Sequence, residues 1–107
     1  MATQAKLSDY GISVGTLPSG PLGKISDVPG VTVGHCTVDT QTQKTGVTVV
    51  MPCADDMFAQ KLPAAACVLN GFGKTAGLVQ VDELGTLETP ILFTNTLSVG
   101  TAQTALV

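Results

Sequence analysis

Alternation of apolar and polar residues marks the first regular element of the chain, near residues 31–38. Val31, Val33 and His35 fall on one side of this segment, which is the period-two pattern of a β-strand. Residues 45–51 are β-branched and mostly apolar, as in a buried strand. Because only a short polar connector separates the two segments, we expect them to form a hairpin.

Two further apolar runs predict strands near 65–69 and 91–94, in a mostly antiparallel or mixed sheet shared with the hairpin. Apolar residues at helical spacing predict a helix over 74–84, with Gly85 as its C-terminal cap. A second helix is expected from residue 99 onward. This order of elements indicates a domain of the α+β class.

Glycine and proline are frequent in residues 1–23, which predicts a loop-rich leader before a domain portion at 24–107. The chain stops at Val107 after about two helical turns, with an apolar end and no capping residue. We therefore expect the sequence to be cut within a helix, as part of a larger domain.

Charged residues make up 12% of the 107 residues and the net charge is −3, so the chain has little charge with which to cover a surface. Such a composition predicts an apolar interface. The chain has neither a basic patch nor an aromatic stacking platform, which argues against nucleic-acid binding. No run is long and apolar enough for a membrane span, and no signal-peptide core is present, so a cytoplasmic location is expected.

The three cysteines have no CxxC spacing, which argues against a disulfide framework and a zinc site. We expect three reduced thiols and no metal. The single histidine, His35, precedes Cys36 directly, so in a strand the two side chains point to opposite faces. A local Cys–His catalytic pair is therefore not expected.

Carboxylates gather at the end of the first predicted helix, at Asp82, Glu83 and Glu88. One of them could act as a base or bind a substrate ammonium group, and the alternative is ordinary surface charge. In the preceding linker we expect Asp55, Asp56 and Lys61 to be solvated loop charges.

The segment from Thr94 to Ser98 places four hydrogen-bonding side chains directly after a buried strand. Strand ends are where sites gather in layered proteins, and Asn95 could donate to an oxyanion. The alternative is a turn in which Ser98 caps the helix that begins at Val99.

Three segments keep a distinctive order and spacing through most of the chain. They are ISDVPGVTVGHCTV (25–38) with TGVTVVMP (45–52), then NGFGKTAGLVQVDELGTLETPI (70–91), then LFTNTLSVG (92–100). From about residue 20 the chain resembles the opening third of the L-aminopeptidase/D-esterases, the DmpA-type family that includes the β-peptidyl aminopeptidases.

The resemblance implies part of a four-layer αββα sandwich similar to N-terminal-nucleophile hydrolases. It also implies a serine-type aminopeptidase whose precursor cleaves itself before a Ser or Thr. The freed residue becomes the nucleophile, and its α-amino group can serve as the base. That cleavage site would lie downstream of Val107, so no catalytic residue is expected in this chain and no cofactor is implied.

The family's functional positions can be carried over only for the front of the pocket. Lys74 stands where several members have Glu, which puts a substrate-binding role there in doubt. The candidates for lining or supporting the amine-binding side are Asn70, Gly71, Glu83, Asn95, Thr96 and Ser98.

Two functions from different classes remain open. The chain is either a fragment or subunit of an enzyme that acts on small peptides, amides or esters, or a non-catalytic scaffold. The expected partners are a C-terminal portion that carries the nucleophile and further copies in a homo-oligomer.

Overall fold

The computed structural model describes residues 5–107. Short 3-10 helices at Leu7–Tyr10 and Ile25–Asp27 precede the main elements. Within the described range these elements are, in chain order, β1 (Thr32–Asp39), β2 (Lys44–Met51), β3 (Leu62–Pro63), α1 (Leu78–Leu84), β4 (Thr86–Leu87), β5 (Ile91–Phe93) and α2 (Val99–Leu106).

The first two strands form the predicted hairpin and pair along their whole length, with Asp39 opposite Lys44 beside the turn. Those two side chains also form an ion pair. Inside the turn the N–H of Gln43 donates to the hydroxyl of Thr40 at 2.9 Å. The N–H of Thr40 donates to the carbonyl of Gln43, also at 2.9 Å. Local hydrogen bonds therefore fix the hairpin's turn and register, and both predicted strands are confirmed.

Strand β5 joins the free side of β2, which gives an antiparallel sheet of order β1-β2-β5. Residues paired across neighbouring strands share a face of the sheet. We call one side the open face, and it carries Val33, His35, Thr48, Val50, Ile91 and Phe93. We call the other side the groove face, and it carries Cys36, Val38, Thr45, Val47 and Leu92.

The prediction of a strand at 65–69 is wrong, because these residues have no regular structure. Pairing occurs just before them, where β3 and β4 form a two-stranded antiparallel sheet. One more ladder bond follows, from the N–H of Ala64 to the carbonyl of Gly85 at 2.9 Å. The partner strand stops there because Gly85 is also the end of α1, so residues 65–69 continue beyond any available neighbour.

Helix α1 begins at Leu78 rather than at residue 74 as predicted. Gly77 causes the difference, because it has a φ of 85° and a left-handed backbone cannot continue a right-handed helix. The predicted cap at Gly85 is confirmed, with a φ of 65° and a bond from its N–H to the carbonyl of Val81. The helix expected from residue 99 is confirmed as α2.

Residues 5–23 run exposed ahead of the sheet, and residues 1–4 of the predicted leader lie outside the described residues. The carboxylate of Asp27 shapes the chain after this segment by accepting the N–H of Leu22 at 3.1 Å and of Lys24 at 3.2 Å. None of the helices found in residues 5–107 has the length and apolar character needed to cross a membrane.

The interior is very small for a chain of this size. In the described part of the chain only Val50 and Met57 are buried apolar side chains, at 4% and 5% exposure. The accessible surface is 9025 Å², whereas a folded monomer of this mass exposes about 5,600 Å². The radius of gyration is 16.2 Å, against about 13 Å for a compact domain of this length. The chain therefore exposes surface of the kind that other proteins bury.

We predict that the isolated chain self-associates, because the open face leaves Phe93 59% exposed and Ile91 37% exposed. Light scattering should report dimers or larger species rather than the 10.9 kDa monomer. Phe93→Glu should weaken the association by placing a charge on that face. The control Val14→Glu should not, because Val14 lies in the exposed leading segment. A monodisperse monomer at high concentration would contradict this prediction.

Candidate functional site

A groove of about 360 Å³ lies between the groove face of the sheet and helix α2. The floor comes from all three strands of the sheet, and the wall comes from α2 and the turn before it. Its lining residues are Cys36, Val38, Thr45, Gly46, Val47, Leu92, Thr94, Asn95, Ser98, Thr101, Ala102 and Ala105. Apolar side chains form most of the floor, and hydroxyl and amide groups lie at the end where β5 passes into α2.

Helix α2 presents small side chains to the groove. Ser98, Thr101, Ala102 and Ala105 follow the spacing i, i+3, i+4 and i+7, which places them on one face of a helix. Side chains of this size leave space between helix and sheet. The groove therefore exists because the inward face of α2 carries no large apolar residue.

Asn95 holds together the turn that leads into α2. Its Oδ1 accepts the N–H groups of Leu97 at 3.0 Å and Ser98 at 3.1 Å. Its Nδ2 donates to the hydroxyl of Thr45 on β2 at 3.2 Å. The side chain is thus bonded to the backbone of the turn, and it also lines the groove. Ser98 stands at the predicted cap position, but its hydroxyl makes no capping hydrogen bond.

Comparison with known proteins assigns the chain to a protein family. Residues 23–107 match the model of peptidase family S58. The chain belongs to peptidase family S58. This assignment agrees with the resemblance seen in the three sequence segments, and it places the chain among peptidases.

Characterised and solved relatives support the S58 assignment. The chain is 36% identical over 101 residues to the beta-peptidyl aminopeptidase BapA of Sphingosinicella xenopeptidilytica, a match that covers 86% of this chain and 25% of that protein. It is 43% identical to a beta-aminopeptidase from Burkholderia sp., with a TM-score of 0.85 over 96% of this chain and 30% of that one. The PH0078 protein from Pyrococcus horikoshii OT3 gives 43% identity and a TM-score of 0.84, over 95% of this chain and 31% of its own.

This S58 chain therefore spans between a quarter and a third of the length of these relatives. Its mixed α and β architecture with antiparallel sheets matches that of the two solved structures over almost all of its length.

The structure brings only some of the candidate residues together. Asn95 and Ser98 both line the groove, whereas Thr96 is exposed and does not. Asn70 and Gly71 lie in the exposed segment before α1, where the side-chain Oδ1 of Asn70 accepts the N–H of Phe72 at 3.3 Å.

Glu83, the remaining candidate, is exposed on α1 and is also absent from the groove lining. Within this chain, the candidates carried over from the family thus do not form a single cluster.

The groove of this S58 chain carries hydroxyl groups but no basic partner for them. The hydroxyls come from Thr45, Thr94, Ser98 and Thr101, and the lining residues include no histidine, lysine or carboxylate. His35 lies on the open face, where its Nδ1 is 2.8 Å from the hydroxyl of Thr48, while Cys36 faces the groove. In residues 5–107 no group of three or more histidine, cysteine and acidic residues is placed to hold a metal ion.

A second polar cluster joins the linker, α1 and Glu88, the residue that follows β4. Lys61 donates to Glu88 at 2.5 Å, and Gln80 donates to the other carboxylate oxygen at 2.5 Å. Lys61 also donates to the carbonyl of Phe58 at 3.0 Å and lies 4.1 Å from the centre of its ring. These hydrogen bonds lower the pKa of Glu88 below 4.5, with Lys61 as the larger cause and Gln80 as the second.

The linker charges Asp55, Asp56 and Lys61 are exposed, as expected for solvated loop charges, although Lys61 is also paired with Glu88. The carboxylate of Asp56 in addition accepts the N–H groups of Phe58 at 3.0 Å and Ala59 at 3.2 Å. Of the carboxylates considered as candidate bases, Glu88 has a structural role, and Asp82 is exposed on α1.

Sequence reasoning missed the groove residues that come from other elements. Thr101 and Ala105 could have been found, because they repeat the position of Ser98 along a helix. Thr45 was also missed, because it lies 50 residues away from its partner Asn95 along the chain. No local pattern reports such a contact.

We predict that Asn95→Ala lowers the free energy of unfolding by about 1–2 kcal/mol, because it removes two acceptor contacts and one donor contact. Thermal unfolding of the variant measures the effect. Thr96→Ala is the matched control, since Thr96 is the exposed neighbour, and it should change stability by less than about 0.5 kcal/mol. Equal effects of the two substitutions would contradict the structural role of Asn95.

The Glu88 cluster predicts a pH dependence of stability. Because folding lowers the pKa of Glu88, the stabilisation is fully present above its ordinary value of 4.5 and is lost as the pH falls through the lowered value. Glu88→Gln should remove this acid-dependent loss, which unfolding curves between neutral and acid pH would show. Glu83→Gln, an exposed change on α1, should leave the profile unaltered. A wild-type profile that matches that of Glu88→Gln would contradict the assigned role.

Proposed function

We propose that this chain is the N-terminal part of an aminopeptidase that hydrolyses N-terminal residues from small peptides, amides or esters. The observation that carries the proposal is the match of residues 23–107 to peptidase family S58, together with relatives named as beta-peptidyl and beta-aminopeptidases. In this proposal residues 1–23 are a leader, and residues 24–107 are one portion of a single domain. A cytoplasmic location stays a prediction from the sequence.

The nucleophile, a Ser or Thr released by self-cleavage, is supplied by the rest of the polypeptide. Two observations support this assignment. The relatives are three to four times as long as the region matched here. In addition, none of the hydroxyls in the groove has a histidine, lysine or carboxylate among its lining neighbours. A hydroxyl needs an adjacent base to become a nucleophile at neutral pH.

The complete protein is a four-layer αββα sandwich in this proposal. Helix α2 lies on the groove face of the sheet, and the opposite face exposes Ile91 and Phe93. A second sheet packed on the open face would bury these side chains, as facing sheets do in sandwiches. The surplus accessible surface of roughly 3,400 Å² is more than one partner contributes to most obligate interfaces, which bury roughly 2,000–5,000 Å² over both partners. Further copies of the protein then form a homo-oligomer.

Within this enzyme the groove end of the chain helps to shape the substrate pocket. Asn95 fixes the turn into α2, so the hydroxyl of Ser98 and the backbone around it keep a constant position. Asn70, Gly71, Glu83 and Thr96 would join the pocket only through contacts with the rest of the protein.

The second candidate function is a non-catalytic scaffold that contributes only an association surface. Its support is the same groove, which carries no general base, and the same uncovered open face. The intact mass of the native material separates the two functions. A companion chain that begins with Ser or Thr supports the enzyme, and a lone species of 10.9 kDa supports the scaffold.

We predict that the isolated 107-residue chain hydrolyses no aminoacyl p-nitroanilide, whereas the complete protein does. Release of p-nitroaniline by the two preparations at equal concentration is the measurement. The complete protein with its new N-terminal Ser or Thr replaced by alanine is the control for contaminating peptidases. Turnover by the pure isolated chain would show that the nucleophile lies within these residues. Failure of the complete protein to release p-nitroaniline would refute the proposed aminopeptidase function.

A further inference from the structure

His35 lies in the middle of the uncovered part of the open face. It pairs across the sheet with Thr48, and Thr48 pairs with Phe93, so these three residues form one row over all three strands. His35 is exposed, and Phe93 is 59% exposed. In the next row Val50 is already buried within the chain, at 4% exposure. The surface that another molecule can cover is therefore centred on the row of His35.

The imidazole ring of His35 has one hydrogen-bond partner on this face. Its Nδ1 lies 2.8 Å from the hydroxyl of Thr48. Because a hydroxyl can donate or accept, this contact suits both the neutral and the charged ring. Among residues 5–107 the ring makes no other hydrogen bond, and it belongs to neither of the ion pairs found there. A layer over this face would therefore bury a charged ring at a much greater cost than a neutral one.

The three strands place one pair of charged residues on the same face. Asp39 and Lys44 lie opposite each other at the hairpin end and form an ion pair, whereas β5 contributes Ile91 and Phe93. Asp39 comes four residues after His35 along β1, which is a distance of about 13 Å. In a contact centred on the row of His35 this pair stays at the edge, so its carboxylate is too far away to stabilise a charged ring.

We propose that two copies of this chain associate through their open faces and that protonation of His35 separates them. A second copy suits the face because its only charges form a neutral pair, so two such faces do not repel each other. The surplus accessible surface of roughly 3,400 Å² exceeds the roughly 800 Å² that each partner contributes to a standard interface. The proposal concerns the 107-residue chain and does not depend on the proposed function.

The direction of the pH dependence follows from the form of the ring that is buried. Histidine side chains change charge between about pH 5 and 8, and His35 is the single histidine of the chain. Because the contact favours the neutral ring, the associated chains bind fewer protons than the separate chains. Association is therefore favoured at the upper end of this range and is lost as the pH falls. Each contact buries two such rings, one from each copy.

Sedimentation of the 107-residue chain between about pH 8 and pH 5 tests the proposal. The dissociation constant of the dimer should rise at least about tenfold toward the lower pH, because the charged ring resists burial. General electrostatics has the opposite effect, since the chain loses its net charge as the pH approaches its pI of about 4.7. A dissociation constant that stays the same or falls would overturn the proposal, and so would a monomer at every pH.

Variants of the single histidine test whether its position matters. His35→Asn and His35→Gln carry no charge at any pH, so their dimers should persist at the lower pH, and the use of both guards against a folding defect in one. The double variant His35→Asn/Val14→His moves the histidine to the leading segment, where Val14 is 83% exposed. It should behave like His35→Asn. Separation of the double variant at low pH would overturn the role of His35.

Circular dichroism under the same conditions distinguishes separation from unfolding. The signal of the β-sheet should be the same at both ends of the pH range, because only the contact between copies is lost. Loss of that signal together with the dimer would overturn the proposal, since unfolding of the chain would then explain the separation.

Discussion

The register between β1 and β2 is the constraint on which the rest of the structure depends. It places Cys36 opposite Val47 on the groove face and Val33 opposite Val50 on the open face. A slip of one residue would exchange the two faces, because side chains alternate along a strand. Strand β5 then pairs with β2, and Asn95 connects that edge to the start of α2. The groove therefore exists in one register only.

Local patterns were enough to predict the hairpin, β5 and α2. Each of them depends on signals within a few residues, such as the alternation in 31–38 or the polar connector before residue 45. The start of α1 was predicted too early, at residue 74, because the prediction extended the helix back past Gly77, whose backbone is left-handed. Periodicity reports which side chains share a face, and it does not report the conformation of a glycine.

The prediction of a strand at 65–69 was wrong for a different reason. Its composition is that of a strand, but a strand exists only when a neighbour is present, and β4 ends at Gly85. The candidate site shows the same limit of local sequence patterns, which do not report contacts between distant residues. The polar block drew attention to Asn95, which lines the groove, but its hydrogen-bonding partner Thr45 is 50 residues away. Lys61 and Glu88 were likewise treated as separate charges, although a contact across 27 residues joins them.

The small share of charged residues and the small interior have the same consequence, which is that apolar side chains stay exposed to solvent. A chain with 12% charge cannot cover its surface with solvated groups, and here only Val50 and Met57 are withdrawn from solvent in residues 5–107. On the open face Ile91 and Phe93 remain uncovered, whereas residues 65–69 have no hydrogen-bonding neighbour for their backbone within residues 5–107. Helices could cover the face, but only another strand can complete a ladder of amides. If the proposed enzyme is correct, the remaining polypeptide must therefore supply β-structure to this portion. Pairing of that kind joins residues far apart in sequence, and non-local contacts of this type slow folding.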